Sequence, residues 1–178
     1  MPNDVPTPAG VVPLCLGALL GIALACLLVA PSAAHGPPEL ALEPDERALC
    51  KLINRFRAHA GAPPLRASLT LTRAARWHSS DMAVHDYFGH VDSRGREFDA
   101  RIRAFGYRGP TMGENLAAVA EDAPTMFEVL KSSPQHRRNM LRAKLRVIGV
   151  GRAYGAGTTF GWYWTTTFGG TRDRTHAC

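Results

Sequence analysis

Val147-Ile148-Gly149-Val150-Gly151 is followed by Gly155-Ala156-Gly157 and then by Thr158 to Phe168. The first and last of these runs read as strands. The second strand is rich in β-branched and aromatic residues, which suit a pleated surface, and the glycines between supply a turn with unrestricted φ. Everything before residue 147 keeps a different period. Helices first and a hairpin last make an α+β protein, not a βαβ repeat.

Working back from the hairpin, the helices come in order. One starts near Asp45, the N-cap candidate after Pro44. It carries Leu49, Leu52, Ile53 and Phe56 at helical spacing and stops at Gly61. Ala62-Pro63-Pro64 is a turn. Ser68 or Thr70 can cap a second helix to about Val84. Its inner face reads Leu71, Ala75, His78, Met82 and His85. Asp92 to Gly95 is a loop. Glu97 to Phe105 is a short helix with Phe98, Ile102 and Phe105 inward. Met112-Gly113 reads as a turn, Thr125 to Lys131 as a helix, and Arg137 to Leu141 as a helical turn.

The chain of 178 residues suits one domain. Val11 to Ala30 is an apolar run, and Pro31-Ser32-Ala33-Ala34 offers a small-x-small cleavage site. Residues 1–34 are therefore a signal peptide or an uncleaved membrane anchor, because the run is long enough to span a bilayer. Either way the rest is secreted or otherwise extracytoplasmic. Residues 35–44 are an extended lead-in, 45–171 the domain and 172–178 a C-terminal tail.

Cys15 and Cys26 belong to the apolar run, leaving Cys50 and Cys178 in the exported part. Two thiols in an oxidising compartment make a candidate disulfide. The alternative is a half-buried Cys50 and a frayed Cys178. All 21 Lys and Arg lie after residue 34, and the chain carries a net charge of +6. Outside the cytoplasm that balance favours anionic envelope surfaces over nucleic acid. Lys131, Arg137, Arg138, Arg142, Lys144 and Arg146 crowd into residues 131–146. They form either a solvated face or a patch for an anionic envelope polymer or lipid. No nucleic-acid partner is expected, and a monomer is the default.

Three polar clusters sit at turns: Asp86 to His90, Gly113-Glu114-Asn115, and Ser133 to Arg137. Turns can aim side chains from a rigid scaffold into one cleft. Two imidazoles and a carboxylate could take a divalent metal such as zinc, or act as general acid and base. His78 reads as a core histidine and His85 as a rim residue. No His-Glu-x-x-His stretch exists.

Seven short segments, in order, resemble bacterial members of the CAP superfamily (cysteine-rich secretory protein, antigen 5, pathogenesis-related 1). They are Tyr87-Phe88-Gly89-His90, Phe98-Asp99-x-Arg101-Ile102, Gly106-Tyr107, Gly113-Glu114-Asn115-Leu116-Ala117, Ser133-Pro134-x-His136-Arg137-x-Asn139-Met140-Leu141, Ile148-Gly149-Val150-Gly151 and Tyr163 to Gly169. The resemblance implies a three-layer α-β-α sandwich with a central antiparallel sheet. It also implies a surface cleft lined by His90, Glu114 and His136, with Asn115 and Tyr163 from the same segments. His90 and His136 would be the metal ligands. If the protein is an enzyme, Glu114, His90 and His136 would be catalytic. The late-strand Gly-His-Tyr-Thr-Gln of animal and plant members is replaced here by Tyr163-Trp164-Thr165-Thr166, and the second cleft Glu falls near Ser133. The expected role is therefore a non-catalytic envelope binding module. The alternative is a metal-assisted hydrolase of peptide, cell-wall or nucleic-acid material using the same cleft.

Overall fold

A computed structural model of the chain describes residues 41–110, 112–170 and 173–178. The segment expected to be a signal or anchor, and most of the lead-in, lie outside the described residues. The elements run α1 (Pro44–His59), β1 (Arg66–Ser68), α2 (Leu69–His85), α3 (Phe98–Ala104), β2 (Met112–Ala118), α4 (Ala123–Ser132), α5 (Pro134–Leu141), β3 (Val147–Tyr154), β4 (Trp162–Gly169) and β5 (Thr175–His176). Among the described residues no helix is long and apolar enough to cross a membrane.

The five strands form one sheet in the order β2-β4-β3-β1-β5. The three long strands are antiparallel, while the short β1 runs parallel to β3 and antiparallel to β5. Helices cover both faces, which makes the α-β-α sandwich. Ile148, Val150, Trp164 and Phe168 pack on one side with Leu49, Ile53, Met126 and Leu130 of α1 and α4. On the other side Val147 packs with Leu71, Ala74 and Ile102, and Tyr163 with Met82 and Leu116.

Helix α2 lies unusually close to the sheet. A Cβ on Gly149 would fall 2.1 Å from the Leu71 carbonyl carbon, and one on Gly151 2.2 Å from the Arg76 nitrogen. Missing side chains at these alternate positions let the helix backbone settle onto β3. Hydroxyls then bridge helix and sheet. Thr167 Oγ1 donates to Leu71 O at 3.1 Å, and Ser79 Oγ donates to Gly151 O at 3.0 Å.

Several local expectations change. Helix α1 begins at Pro44, with Glu43 and Glu46 forming a capping box, so Asp45 is inside the first turn and is not the cap. Ser68 caps α2, accepting from Leu71 N at 3.0 Å. Met112-Gly113 is not a turn but the start of β2, which is buried along both faces and shows no alternation to read. Residues beyond 172 are not a tail. Cys178 is disulfide-bonded to Cys50 across 128 residues, with Cα atoms 5.5 Å apart. Thr175 and His176 pair with β1, and Asp173 accepts from the Ser68 and Thr70 hydroxyls.

Candidate functional site

Strand β2 is an edge strand, and the polar residues of interest gather around it. Glu114 and Asn115 are consecutive, so they point to opposite faces. Glu114 looks toward α2 and α3, and Asn115 toward α5.

His90 reaches Glu114 from the loop after α2. Asp86, in the left-handed conformation at φ 48°, ends the helix and turns the chain. The buried His78 bonds through Nε2 to Gly89 O at 2.9 Å, which ties this loop to the inner face of α2. Arg101 Nη1 donates to His90 O at 2.9 Å and fixes the next residue. The His90 ring then places Nδ1 2.8 Å from Glu114 Oε1. The His90 side chain is 51% exposed while that of Glu114 is fully buried.

The second Glu114 oxygen is also taken. Arg101 Nη2 donates to Oε2 at 2.6 Å, and both side chains are completely shielded. The guanidinium continues toward Asp92 Oδ2 at 3.9 Å. Asp92 in turn accepts from Arg94 N, Arg96 N and Arg96 Nε. Burial pushes the Asp92 carboxyl up, but these donors outweigh it and hold the group below the usual carboxylate range.

On the opposite side, α5 is stitched to β2. Asn139 Nδ2 donates to Glu114 O at 3.1 Å and to Asn115 Oδ1 at 2.8 Å. Asn115 Nδ2 donates to His136 O at 3.1 Å. The first of these bonds satisfies a β2 backbone carbonyl, one of the edge groups that would otherwise invite another strand. Together the bonds also seat His136 beside the strand. Its Nδ1 is buried without a partner. Burial lowers the His136 pKa, and the His90 charge lowers it further, so the two rings act on each other.

Glu114, His90, Asn115 and His136 are therefore brought together. Tyr163 is not. It sits opposite Ala118, four residues along β4 from the Thr167 that pairs with Glu114, or about 14 Å at strand rise. Its buried hydroxyl donates to Asp86 Oδ1 at 2.9 Å and braces the end of α2. A divalent metal such as zinc was expected on His90 and His136, and the donors around them can be compared with what zinc takes. Among the described residues no three His, Cys, Asp or Glu side chains are grouped to hold a metal ion. Glu114 is already committed on both oxygens, so two imidazoles remain. Zinc takes three protein ligands in catalytic sites and four in structural ones, and this donor set does not fit it.

Arg101, Asp92 and Asn139 complete the site without having been singled out as members. A signal for Arg101 was present. It stands three residues after Phe98 on the short helix whose inward face is Phe98, Ile102 and Phe105. A charge beside that face needs a buried partner.

This three-layer α-β-α sandwich is the fold of solved proteins that contain an SCP domain. An extracellular SCP-domain protein from Bacillus anthracis str. Ames superposes with a TM-score of 0.64 at 23% identity, covering 76% of this chain and 45% of that one. An outer surface protein from Borrelia burgdorferi gives 0.66 at 18% identity, covering 75% and 97%. The model of the cysteine-rich secretory protein family, CAP, matches residues 50–168, and the chain belongs to that family. Protein YkwD of Bacillus subtilis (strain 168) is 34% identical over 107 residues, 60% of this chain and 41% of its own length. The membrane protein YlbC of the same organism is 28% identical over 106 residues, 31% of its length. The chain thus spans less than half the length of these curated relatives.

Proposed function

We propose that this protein is an exported, non-catalytic binding module that takes an anionic, phosphate-bearing envelope ligand at the β2 edge. One observation carries the reading. Both Glu114 oxygens are occupied by His90 and Arg101, so the carboxylate is an orienting group and not a free base. What it presents is the half-exposed His90 ring, with Nε2 left to meet a ligand.

Export is supported by the apolar run Val11 to Ala30 and by the Cys50–Cys178 disulfide, which persists outside the cytoplasm. The neighbours described as extracellular or outer-surface proteins fit the same location.

The ligand class follows from α5. Arg137, Arg138 and Arg142 are exposed around one open groove that Asn139 also lines. No Asp or Glu occurs between Glu128 and Asp173 in the sequence. The basic segment 131–146 is not used as a block. Lys131 pairs with Glu128, and Arg146 turns back to Ala143 O and Leu145 O. The three groove arginines remain for anions.

Vesicle binding tests this. Phosphatidylglycerol vesicles should be bound and phosphatidylcholine vesicles ignored, with affinity falling as salt rises. His90→Ala and the pair Arg137→Ala/Arg138→Ala should each weaken binding. Salt-independent binding would sink the proposal. Turnover of a peptide, muropeptide or nucleic acid that disappears in His90→Ala would replace it with the hydrolase reading.

A further inference from the structure

Trp77 stands on the outer face of α2, turned from the sheet and half-buried. The guanidinium carbons of Arg94 and Arg96 lie 5.3 and 5.0 Å from its ring centre. A hollow of about 290 Å³ on one side of the ring is lined by Arg73, Arg94, Arg96 and Phe105. A second hollow of about 320 Å³ is lined by Ser80, Asp81, Val84, His85 and Ser93, with the half-exposed His85 Nδ1 3.3 Å from the buried Asp81 Oδ1. Trp77 and Arg94 line both, so the hollows adjoin and are treated together as one track. From Arg73 to Val84 it follows the helix for about 16 Å.

The loop that carries the two arginines is built before any ligand arrives. Asp92, buried, accepts from Arg94 N at 3.0 Å and from Arg96 N and Nε at 2.9 and 2.8 Å. Ser93 donates to Asp81 from its backbone at 2.9 Å and from its hydroxyl at 2.5 Å. Arg96 therefore spends its charge on Asp92. Arg73 and Arg94 have no carboxylate partner among the described residues. Stacking of a guanidinium on indole is worth about 0.5–1 kcal/mol at an exposed site. That accounts for both Arg94 and Arg96 over Trp77. It leaves Arg73 and the N–H fork of Arg94 unused.

We propose that this track binds an anionic oligosaccharide. A sugar ring packs against the exposed part of Trp77. Its carboxylate takes the Arg94 fork and Arg73, and the hydroxyls of a neighbouring ring meet Ser80 and Ser93. Arginines crowd one half of the track, while the other is lined by serine hydroxyls and by the buried Asp81 carboxylate beside His85, and that contrast selects the class. A chain of phosphates would carry negative charge over Asp81, whereas a uronic-type sugar has hydroxyls to place there.

Tetragalacturonate and its methyl ester are the probes, titrated into the exported chain by calorimetry and by tryptophan emission. The acid should bind saturably and shift the emission, and the ester should bind at least about tenfold more weakly, as for a lost charge-assisted contact. Trp77→Phe should remove the emission change although Trp162 and Trp164 remain. Arg94→Ala, an exposed position, should cost about tenfold in affinity with an unchanged circular dichroism spectrum. Equal binding of acid and ester, an Arg94→Ala variant that binds like wild type, or no saturable binding would each overturn the proposal. So would tighter binding of polyglycerol phosphate that is lost in Arg94→Ala.

Discussion

Arg101 Nη2 and Glu114 Oε2 meet at 2.6 Å with neither side chain exposed to solvent. Two charges removed from water are tolerable here because each has further partners. Arg101 also holds His90 O, and Glu114 also holds the His90 ring. Removing one member strands the other. Arg101→Met should destabilise the domain by about 3–5 kcal/mol. The double variant Arg101→Met/Glu114→Leu should recover part of that loss. Urea unfolding of the two variants and the wild type measures it; a double variant weaker than the single would contradict the pairing.

Gly149 and Gly151 make a sharper prediction, because the obstacle is backbone. Gly149→Ala should cost at least about 1–3 kcal/mol by overpacking, since the new methyl meets the helix main chain. Gly157→Ala meets nothing within 4 Å, so only its φ of +76° is strained. That strain is worth about 1–2 kcal/mol. Thermal unfolding should rank Gly149→Ala below Gly157→Ala, and the reverse order would argue against close contact of α2 with β3.

The Cys50–Cys178 disulfide closes a span of 128 residues. Cys178→Ser should lower stability by about 2–5 kcal/mol. Because β5 and Asp173 lie just before Cys178, hydrogen exchange should rise first at β1 and at the start of α2. An unchanged unfolding midpoint in the serine variant would mean that sheet pairing alone holds this end.

Acid should weaken the fold through His78. Burial, aided by the Arg101 charge, lowers its pKa from the ordinary 6.5, against the opposing pull of Glu114, Asp81 and the Gly89 carbonyl. A histidine lowered in the folded state binds fewer protons there than in the unfolded chain. Its contribution is whole above 6.5 and is lost as pH falls from 6.5 toward the folded value. His136 acts in the same sense. The denaturant midpoint should drop between about pH 7 and pH 5, and less steeply in His78→Gln. Equal slopes for the two proteins would remove His78 as the cause.

The sequence displayed the helices and the β3–β4 hairpin because each has a period and a stop. The stop at Gly61 is readable from residue type alone, whereas residue type leaves the α2 cap between Ser68 and Thr70, and the bond from Leu71 N selects Ser68. Strand β2 was not, since it is covered on both faces and its small and polar residues leave no alternation. β1 and β5 are only three and two residues long, too short for any pattern. For the site, His90, Glu114, Asn115 and His136 could be gathered because ordered segments pointed to them. Tyr163 stands apart from the other four: its segment matches, but strand rise carries it to the far end of β4. Arg101 is marked by its place beside the apolar face of its helix, but its partner Glu114 lies on another element and is not legible from spacing.

The two bare positions on β3 have one more consequence. With no side chains between them, helix and strand have no compressible layer to absorb a shift, so α2 cannot drift along the sheet without main-chain collision. The loop that leaves its end therefore starts from a fixed origin. Side chains on the outer surface of α2 or around His90 can be exchanged while that origin stays put: a chassis with interchangeable tooling, indexed by two glycines.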